Sequence, residues 1–321
     1  MSSYYPSFNL FGKNSYNDYD LIVAHFDGDS GEVDTYLGMD PIYTDNAYGT
    51  KRIDYGAKFN SVITARISLI KHSGEDFTVS EVREFLKWTT GSRQNSYLEL
   101  CEWDDKINAW SAKFRLLGRT TAAYQQKLDA RTVGLIIEFT TVSPFAFSPV
   151  QTISEEIDGE KTILIENQTD DLDTPIYLNV RFDNSSAGEL IIRNETIIES
   201  IDELLKNSLE ATDRLYTKVS GLVSGEVVTL DSNLIITSNH PAKTTFGNSF
   251  NFVYPQLTAG ANILTVKGNG NITIDYVYYI KLGDMTIDCD ISSASAPCSC
   301  SGNVDINEDE LNVMLNEVLY S

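Results

Sequence analysis

Residues 132–149, which read TVGLIIEFTTVSPFAFSP, decide how the chain is divided. Their first half holds a short apolar run: Leu135, Ile136, Ile137 and Phe139. A run this short, rich in β-branched residues, favours a buried strand over a helix. Prolines then end regular structure, because each lacks a backbone N–H and pushes its predecessor toward extended geometry. We therefore predict the last strand of a first domain, with Leu135, Ile137 and Phe139 in its core.

The second half of this stretch combines two prolines with two aromatic residues. It lies where the composition of the chain changes, so we predict that it is the exit into a second domain. Phe145 and Phe147 would then clamp the two domains together. The predicted interdomain hinge consists of Pro144, Phe145, Phe147 and Pro149.

The net charge of −22 is unevenly distributed over the 321 residues. Residues 1–149 hold 15 Lys and Arg against 19 Asp and Glu, a net of −4, whereas residues 150–321 hold 9 against 27, a net of −18. An acidic surface repels nucleic acid, so we expect no sequence-specific nucleic-acid partner. The charge indicates solubility, or a face for a basic partner or a divalent cation. No apolar run approaches the ~18 residues that span a bilayer, and the polar N-terminus lacks a signal-peptide pattern, so we expect no membrane insertion.

The four cysteines are too few for a disulfide framework in a chain of this length: Cys101, Cys289, Cys298 and Cys300. Cys101 lies in a strand-like segment and is predicted to be a small buried hydrophobe. The other three offer three zinc ligands, whereas a structural zinc site uses four and no histidine is near them. The turn at residues 27–31 lacks the spaced acidic series of a calcium loop. We therefore predict no metal site and no cofactor.

The sequence contains no catalytic motif. The three histidines, His25, His72 and His240, are interpreted as structural, and neither a P-loop, a G-x-S-x-G nor an H-E-x-x-H pattern occurs. Abundant carboxylates leave a glycosidase pair open on composition, but no acidic residue is singled out by its neighbours. We predict that the protein is not an enzyme and has no catalytic residues.

The first domain shows several strands with one helix among them. Residues 63–69 alternate apolar and polar side chains, and strands are predicted at 96–103 and 112–118 around a turn at 104–108. Thr78 and Glu81 form a capping box, which starts a helix. The apolar face of that helix is predicted from Val79, Val82, Phe85 and Leu86, with Gly91 as the stop.

After residue 149 short strands recur at about ten-residue spacing, which is typical of a β-sandwich. Strands are predicted at 161–166, 176–182, 189–193, 225–230, 233–237, 248–254, 262–266 and 271–280. A second capping box, Ser200 with Glu203, predicts a helical insertion at about 199–212. Its predicted apolar face consists of Ile201, Leu204, Leu205 and Leu209.

The last segment is an acidic linker followed by an amphipathic helix. Residues 284–321 carry eight acidic side chains and no Lys or Arg, and residues 305–320 have an apolar stripe at helical spacing: Leu311, Met314, Leu315, Val318 and Leu319. Such a stripe either packs on its own chain or docks into a partner's groove, so these five residues are the predicted partner-docking helix.

These features together resemble the distal tail protein of long-tailed, non-contractile phages. The likeness is carried by IEFTTVSPFAFS at 137–148, GEVVTLD at 225–231 and LTAGANILTV at 257–266, with the Tyr-rich last strand after them. It implies a mainly β chain with one or two helices, of class α+β. The implied parts are an N-terminal β-sandwich or split-barrel domain at 1–148, a galectin-like β-sandwich at 149–283, and the acidic linker with its short helix at 284–321.

The resemblance also implies a structural role at the tail tip. Family members form a hexameric ring that joins the tail tube protein to the tail-associated hub protein, while the second domains reach toward receptor-binding proteins. The protein would be made and assembled in the cytoplasm of the bacterial host and reside in the virion. The alternative is a tail adhesin whose second domain binds host cell-wall sugars. It is weakened because all three tryptophans, Trp88, Trp103 and Trp110, lie in the first domain.

Overall fold

The computed structural model of the protein describes residues 6–24, 39–44, 52–59, 62–210, 213–241, 243, 245–282 and 285–286. Within these ranges the chain is mainly β with four α-helices and curled sheets, which confirms the predicted fold class. None of the helices described is both long enough and apolar enough to cross a bilayer. His25, Cys289, Cys298, Cys300, the turn at 27–31 and the helix predicted at 305–320 lie outside the described residues.

The described residues in the first half of the chain form ten strands and two helices. The strands are β1 (Ser7–Leu10), β2 (Lys13–Asn14), β3 (Leu21–Val23), β4 (Met39–Thr44), β5 (Ile53–Phe59), β6 (Thr64–Lys71), β7 (Ser96–Asp104), β8 (Ala109–Leu128), β9 (Arg131–Thr141) and β10 (Ala146–Phe147). The helices are α1 (Ser15–Tyr19), which the sequence did not predict, and α2 (Val79–Thr90).

Eleven strands, two α-helices and one short 3-10 helix lie in the part of the second half that the structure describes. The strands are β11 (Gln151–Asn167), β12 (Ile176–Tyr177), β13 (Asn179–Asn184), β14 (Gly188–Asn194), β15 (Thr217–Leu222), β16 (Val227–Leu230), β17 (Ile236–Ser238), β18 (Gln256–Leu257), β19 (Gly260–Tyr276), β20 (Tyr279–Ile280) and β21 (Met285–Thr286). The helices are α3 (Glu195–Ser200), α4 (Glu203–Glu210) and the 3-10 helix Gly247–Ser249.

The first sheet has the order β2-β1-β7-β8-β9-β6-β21, with β3 also on β6 and β10 also on β8. Its inner face is the first hydrophobic core. The predicted core residues Leu135, Ile137 and Phe139 are buried there, as expected. The prediction that this is the last strand of the first domain is wrong, because β10, β20 and β21 join the same sheet after it. The alternating side chains of β6 and the residue before it point into the same core: Ile63, Ala65, Ile67 and Leu69.

Helix α2 closes this core, and its capping box is present as predicted. The Thr78 hydroxyl accepts a hydrogen bond from the Glu81 N–H, and the Glu81 carboxylate accepts one from the Thr78 N–H at 2.7 Å. The predicted apolar face is wrong at two positions, because Val79 is 88% exposed and Leu86 is also exposed. The buried face rotates instead onto Val82, Phe85, Trp88 and Thr89.

Trp88 sets that rotation. Its indole Nε1 donates to the Leu10 carbonyl at 2.9 Å, and its ring stacks on Tyr19 and Phe8 at centroid distances of 4.3 and 5.4 Å. A buried indole needs a partner for its N–H, so the helix turns to the angle at which both the bond and the stacking are made. None of these partners is close to Trp88 in the sequence.

The predicted strand at 112–118 is longer than expected. β8 runs for 20 residues and pairs with β9 from Gly118↔Thr141 to Leu128↔Arg131, with two irregularities of register. Its second half is polar and mostly exposed, so it shows no apolar alternation. Pairing with β9, not its own composition, makes that half a strand.

The second sheet is organised around β19, a single strand where two were predicted at 262–266 and 271–280. β11 pairs with β19 over all 17 residues, from Gln151↔Tyr276 to Asn167↔Gly260. The opposite edge of β19 pairs first with β14 and then with β13. The full order is β15-β14-β19-β13-β16-β17, which curls around the second hydrophobic core.

Three local expectations in this half are corrected. The strand predicted at 248–254 is a 3-10 helix followed by a single bridge at Phe250, because the Asn251 side chain bonds the surrounding backbone in place of a ladder. The capping box at Ser200 is absent, since Ser200 ends α3 and its hydroxyl donates back to the Ile197 carbonyl at 2.7 Å. Leu205, predicted on an apolar face, is exposed, and β15 was not predicted.

The chain returns to the first sheet after the second core. β20 pairs with β10, and Ile280 and Leu282 pack against the first core. β21 lies parallel to β6. Residues 279–280, predicted as the end of a sandwich strand, therefore belong to the first sheet. The second core is an insertion between two adjacent strands of the first.

Candidate functional site

The junction between the two cores is a pair of short antiparallel strands. β10 leads into the second core and β20 leads out of it, in the register Ala146↔Ile280 and Phe147↔Tyr279. Phe147 also pairs with Arg115 of β8, which fixes the junction to the long hairpin of the first sheet. Both connections therefore lie side by side.

Ser148 bonds the two connections to each other. It is fully buried; its N–H donates to the Tyr278 carbonyl and its Oγ accepts from the Tyr278 N–H, both at 3.0 Å. Its Oγ also donates to the Pro149 carbonyl at 2.8 Å. A second tie joins Asp170, whose N–H donates to the Tyr279 carbonyl and whose carboxylate accepts from the Lys281 N–H. In addition to the pairing of β10 with β20, the four hydrogen bonds of Ser148 and Asp170 with Tyr278, Tyr279 and Lys281 hold the junction together.

Tyr279 is the aromatic centre of this junction. Its ring lies 5.4 Å from that of Phe145 and 5.6 Å from that of Phe147, and Phe145 also meets Phe59 of β5 edge-on at 4.7 Å. Burial, reinforced by the Asp171 charge, raises the pKa of the Tyr279 hydroxyl. Phe145 is buried and Phe147 half-buried, while Pro144 and Pro149 are half-exposed. The predicted hinge residues thus lie at the junction, and their function as a hinge stays a prediction.

An exposed apolar surface lies on the hairpin of β4 and β5, here called the outer hairpin. It forms its own two-stranded sheet and pairs with no other strand among those described. Every residue of β4 is exposed. Its large exposed side chains are Met39, Ile42, Tyr43, Ile53 and Tyr55.

A two-stranded hairpin is marginally stable in water by itself, because it has no buried face. Phe59, at the end of β5, anchors the outer hairpin to the junction through its contact with Phe145. The remaining apolar side chains are left for another surface to cover. Sequence reasoning missed this hairpin because Pro41 interrupts its first strand. The signal available was the β-prone, aromatic composition of residues 39–44 and 53–59 on either side of the Asn46 and Gly49 turn residues.

The other predicted site residues do not form a site within the described chain. Leu311, Met314, Leu315, Val318 and Leu319 lie outside it.

Cys101 is buried as predicted, and burial raises the pKa of its thiol to about 12. The described residues contain no group of three or more His, Cys, Asp or Glu that would hold a metal ion. His72 lies 5.2 Å from the Tyr16 ring, and the buried Nδ1 of His240 has no hydrogen-bond partner within the described residues.

Both halves of the chain match family models of phage tail proteins. Residues 4–143 match the family model described as phage tail protein N-terminal domain, and residues 145–276 match the one described as phage tail C-terminal domain. The boundary between the matches falls at Pro144, inside the junction. The chain belongs to this family of phage tail proteins, and it is a structural component of the virion.

Solved structures match the chain at low identity. One is the crystal structure of the SPP1 Dit protein, described as a paradigm of the hub adsorption apparatus in phages that infect Gram-positive bacteria. It is 13% identical with a TM-score of 0.49, and the match covers 85% of this chain and 98% of that one. Another is the phage P2 baseplate in its activated conformation with Ca, at 8% identity and a TM-score of 0.44, covering 86% and 99%. No curated protein matches the chain.

Proposed function

We propose that the protein forms a hexameric ring at the tail tip, with the first domains packed against copies of themselves. The observation that carries this proposal is the outer hairpin, whose apolar side chains are exposed in the single chain. A closed ring repeats one heterologous contact, in which a patch on each subunit meets a different patch on the next. A projecting hairpin suits such a contact because it reaches beyond its own core.

The charge distribution supports the same arrangement. In a ring of six every net charge is multiplied by six, so residual charge costs least where subunits do not meet. Residues 1–149 have a net charge of −4 and residues 150–321 one of −18. In the proposed ring the first domains meet and the acidic second domains lie at the periphery.

The partners follow from this position in the virion. One face of the ring would continue the tail tube protein and the other would hold the tail-associated hub protein. The second domains would carry receptor-binding components. The proposed role is mechanical, without catalysis, a cofactor, sequence-specific nucleic-acid binding or membrane insertion.

A double substitution in the outer hairpin tests the proposal. Ile42→Ser with Tyr55→Ser removes two exposed apolar side chains and no core contact, so the single chain should stay folded while the oligomer dissociates. Mass photometry should show the wild-type chain near six times 35.8 kDa and the variant near one. Leu164→Ser, at an exposed position of the second sheet, is the matched control and should leave the oligomer intact. A wild-type chain that stays monomeric at high concentration, or a double variant that still assembles, contradicts the proposal.

A second function, saccharide binding by the second domain, is favoured by Phe252. This side chain is 68% exposed and its backbone is left-handed at φ 59°, which is unfavourable for a bulky residue. Asn251 fixes that conformation, because its side chain accepts from the Lys218 N–H and donates to the Tyr216 carbonyl. An aromatic ring held outward in this way is suited to stack on a sugar. Phe252→Ala should reduce binding of the full chain to host cell walls. If the variant binds as strongly as the wild type, this function is contradicted.

A further inference from the structure

A cavity of about 220 Å³ lies in the second domain, between helices α3 and α4 and the second sheet. Its walls come from β14, α3, α4, β15, β18 and β19 and from the segments before β15 and β18, and most of the lining is apolar. The helices contribute Ile197 and Leu209, and the sheet contributes Ile192 and Leu264. The volume is about seven times the ~30 Å³ that one water occupies in the liquid, which is room for one ring-sized group.

The cavity contains a buried hydroxyl that the fold does not use. Thr217 is the first residue of β15, pairs with Ile192 of β14, and is 1% exposed. Its Oγ1 is buried and has no hydrogen-bond partner within the described residues. A buried polar atom without a partner costs about 1–3 kcal/mol, so a ligand group that bonds it gains that amount back on binding.

The cavity also has a single charged residue in its lining, Arg214, which is a cation in a strongly acidic domain. Arg214 is exposed at the rim and forms no ion pair with any residue that the structure describes. The adjacent anion, Asp213, is already engaged: its carboxylate accepts from the Tyr216 hydroxyl at 2.6 Å and lies 3.5 Å from Lys218 Nζ. Those contacts hold the pKa of Asp213 below its ordinary value, so it remains charged and bound to its own partners.

The Asn194 side chain, also part of the lining, is hydrogen-bonded at both its nitrogen and its oxygen. The Asn194 side-chain amide donates to the Gln256 carbonyl at 2.9 Å and to Asn262 Oδ1 at 2.8 Å, and its oxygen caps α3. Tyr254 packs edge-on against Phe250 at 5.1 Å. The Asn194 amide is therefore not free to bond a ligand, whereas the Thr217 hydroxyl and the Arg214 guanidinium have no hydrogen-bond or ion-pair partner within the described residues.

We propose that this cavity binds an apolar group of about one amino-acid side chain in size that carries a carboxylate. The apolar part would fill the space between the helices and the sheet, with the Thr217 hydroxyl bonding it or its head group. The carboxylate would lie at the rim, where a guanidinium pairs with it through charge-assisted hydrogen bonds. This ligand is either a free small acid or the carboxyl-terminal residue of a partner chain. Ligand binding in this cavity does not depend on the ring. It gives helices α3 and α4 a function, since they form one wall of the cavity.

Calorimetric titration of the full chain tests the proposal with 3-phenylpropanoate and with the tripeptide Ac-Ala-Ala-Phe bearing a free carboxylate. The corresponding amides should bind at least about tenfold more weakly, because they lose the charge on the ligand. Tighter binding of the tripeptide identifies a chain terminus as the source, and tighter binding of the free acid identifies a small molecule; either supports the proposal. No binding of either acid up to about 10 mM overturns it, as does equal binding of acid and amide.

Two variants separate the ligand contacts from folding. Arg214→Gln should weaken acid binding about tenfold, whereas Arg181→Gln, an exposed arginine outside the cavity that pairs with Asp183, should not. Thr217→Val should weaken binding about fivefold while leaving the stability of the free chain unchanged or higher, because it removes a buried hydroxyl without a partner. Binding unaffected by both cavity variants overturns the proposal. So does a large loss of stability in Thr217→Val, which would mean that the fold itself uses the hydroxyl.

Discussion

At the scale of single residues, helix α2 is positioned by the capping box at its start and by the hydrogen bond of the Trp88 indole near its end. The capping box of α2 needs only Thr78 and Glu81, and it is present. The burial of Trp88 depends on Leu10, about eighty positions away, so no local pattern indicated it. The same contrast applies to Thr217, whose orphaned hydroxyl becomes visible only once the helices and the sheet meet around it.

Glu81 also couples the stability of α2 to pH. Its carboxylate lies 2.7 Å from Lys71 Nζ and accepts two hydrogen bonds from Thr78, and these contacts lower its pKa from 4.5 to about 2. Because the folded-state pKa is depressed, the contribution is complete above pH ~4.5 and is lost as the pH falls toward ~2. Glu81 is partly exposed, so solvent screening limits the effect to about 1 kcal/mol.

Urea unfolding of Glu81→Gln checks this coupling. We expect the variant to be less stable than wild type by about 1 kcal/mol at pH 7, and the difference to shrink below pH 4.5 and vanish near pH 2. Glu84→Gln on the same helix is the control, with an expected change under about 0.5 kcal/mol. A difference between wild type and Glu81→Gln that stays constant over this pH range would show that Glu81 acts through packing alone.

At the scale of elements, the short strands and the one long helix were predictable, whereas the long strands were not. Alternation at residues 63–69 gave β6, because one face of that strand is buried and the other is not. β19 was predicted as two strands because Gly268, Asn269 and Gly270 interrupt its apolar pattern. In the structure one continuous strand runs through these glycines, and β14 and β13 pair with the same edge of it on either side of Asn269.

Gly270 is the position in β19 that most needs glycine. Its φ is +147°, and a Cβ there would collide with the Asp183 carbonyl oxygen of β13. Gly270→Ala should therefore lower the free energy of unfolding by about 2 kcal/mol or more, since either the pairing with β13 or the backbone conformation at this position must change. Gly188→Ala has open space around its Cβ and should change stability by less than about 0.5 kcal/mol. Equal effects of the two substitutions, measured by urea unfolding, would count against the shared-strand architecture.

At the scale of the whole molecule, the main feature is that the second core is inserted between β10 and β20. The sequence indicated the change of composition at residues 144–149 but not the return of β20 and β21 to the first sheet. That return depends on pairing with β10 and β6, which are far away in the sequence. Two adjacent connections restrict how the second domain can move. An acidic periphery would thus be held at a defined place relative to a ring of first domains.

The measurement that tests this account most directly is electron microscopy of the purified full-length protein. The proposal predicts closed rings with six-fold symmetry, in which the first domains surround a central opening and the second domains lie outside. Class averages that contain only single subunits or only open chains of subunits, with no closed ring, would contradict it.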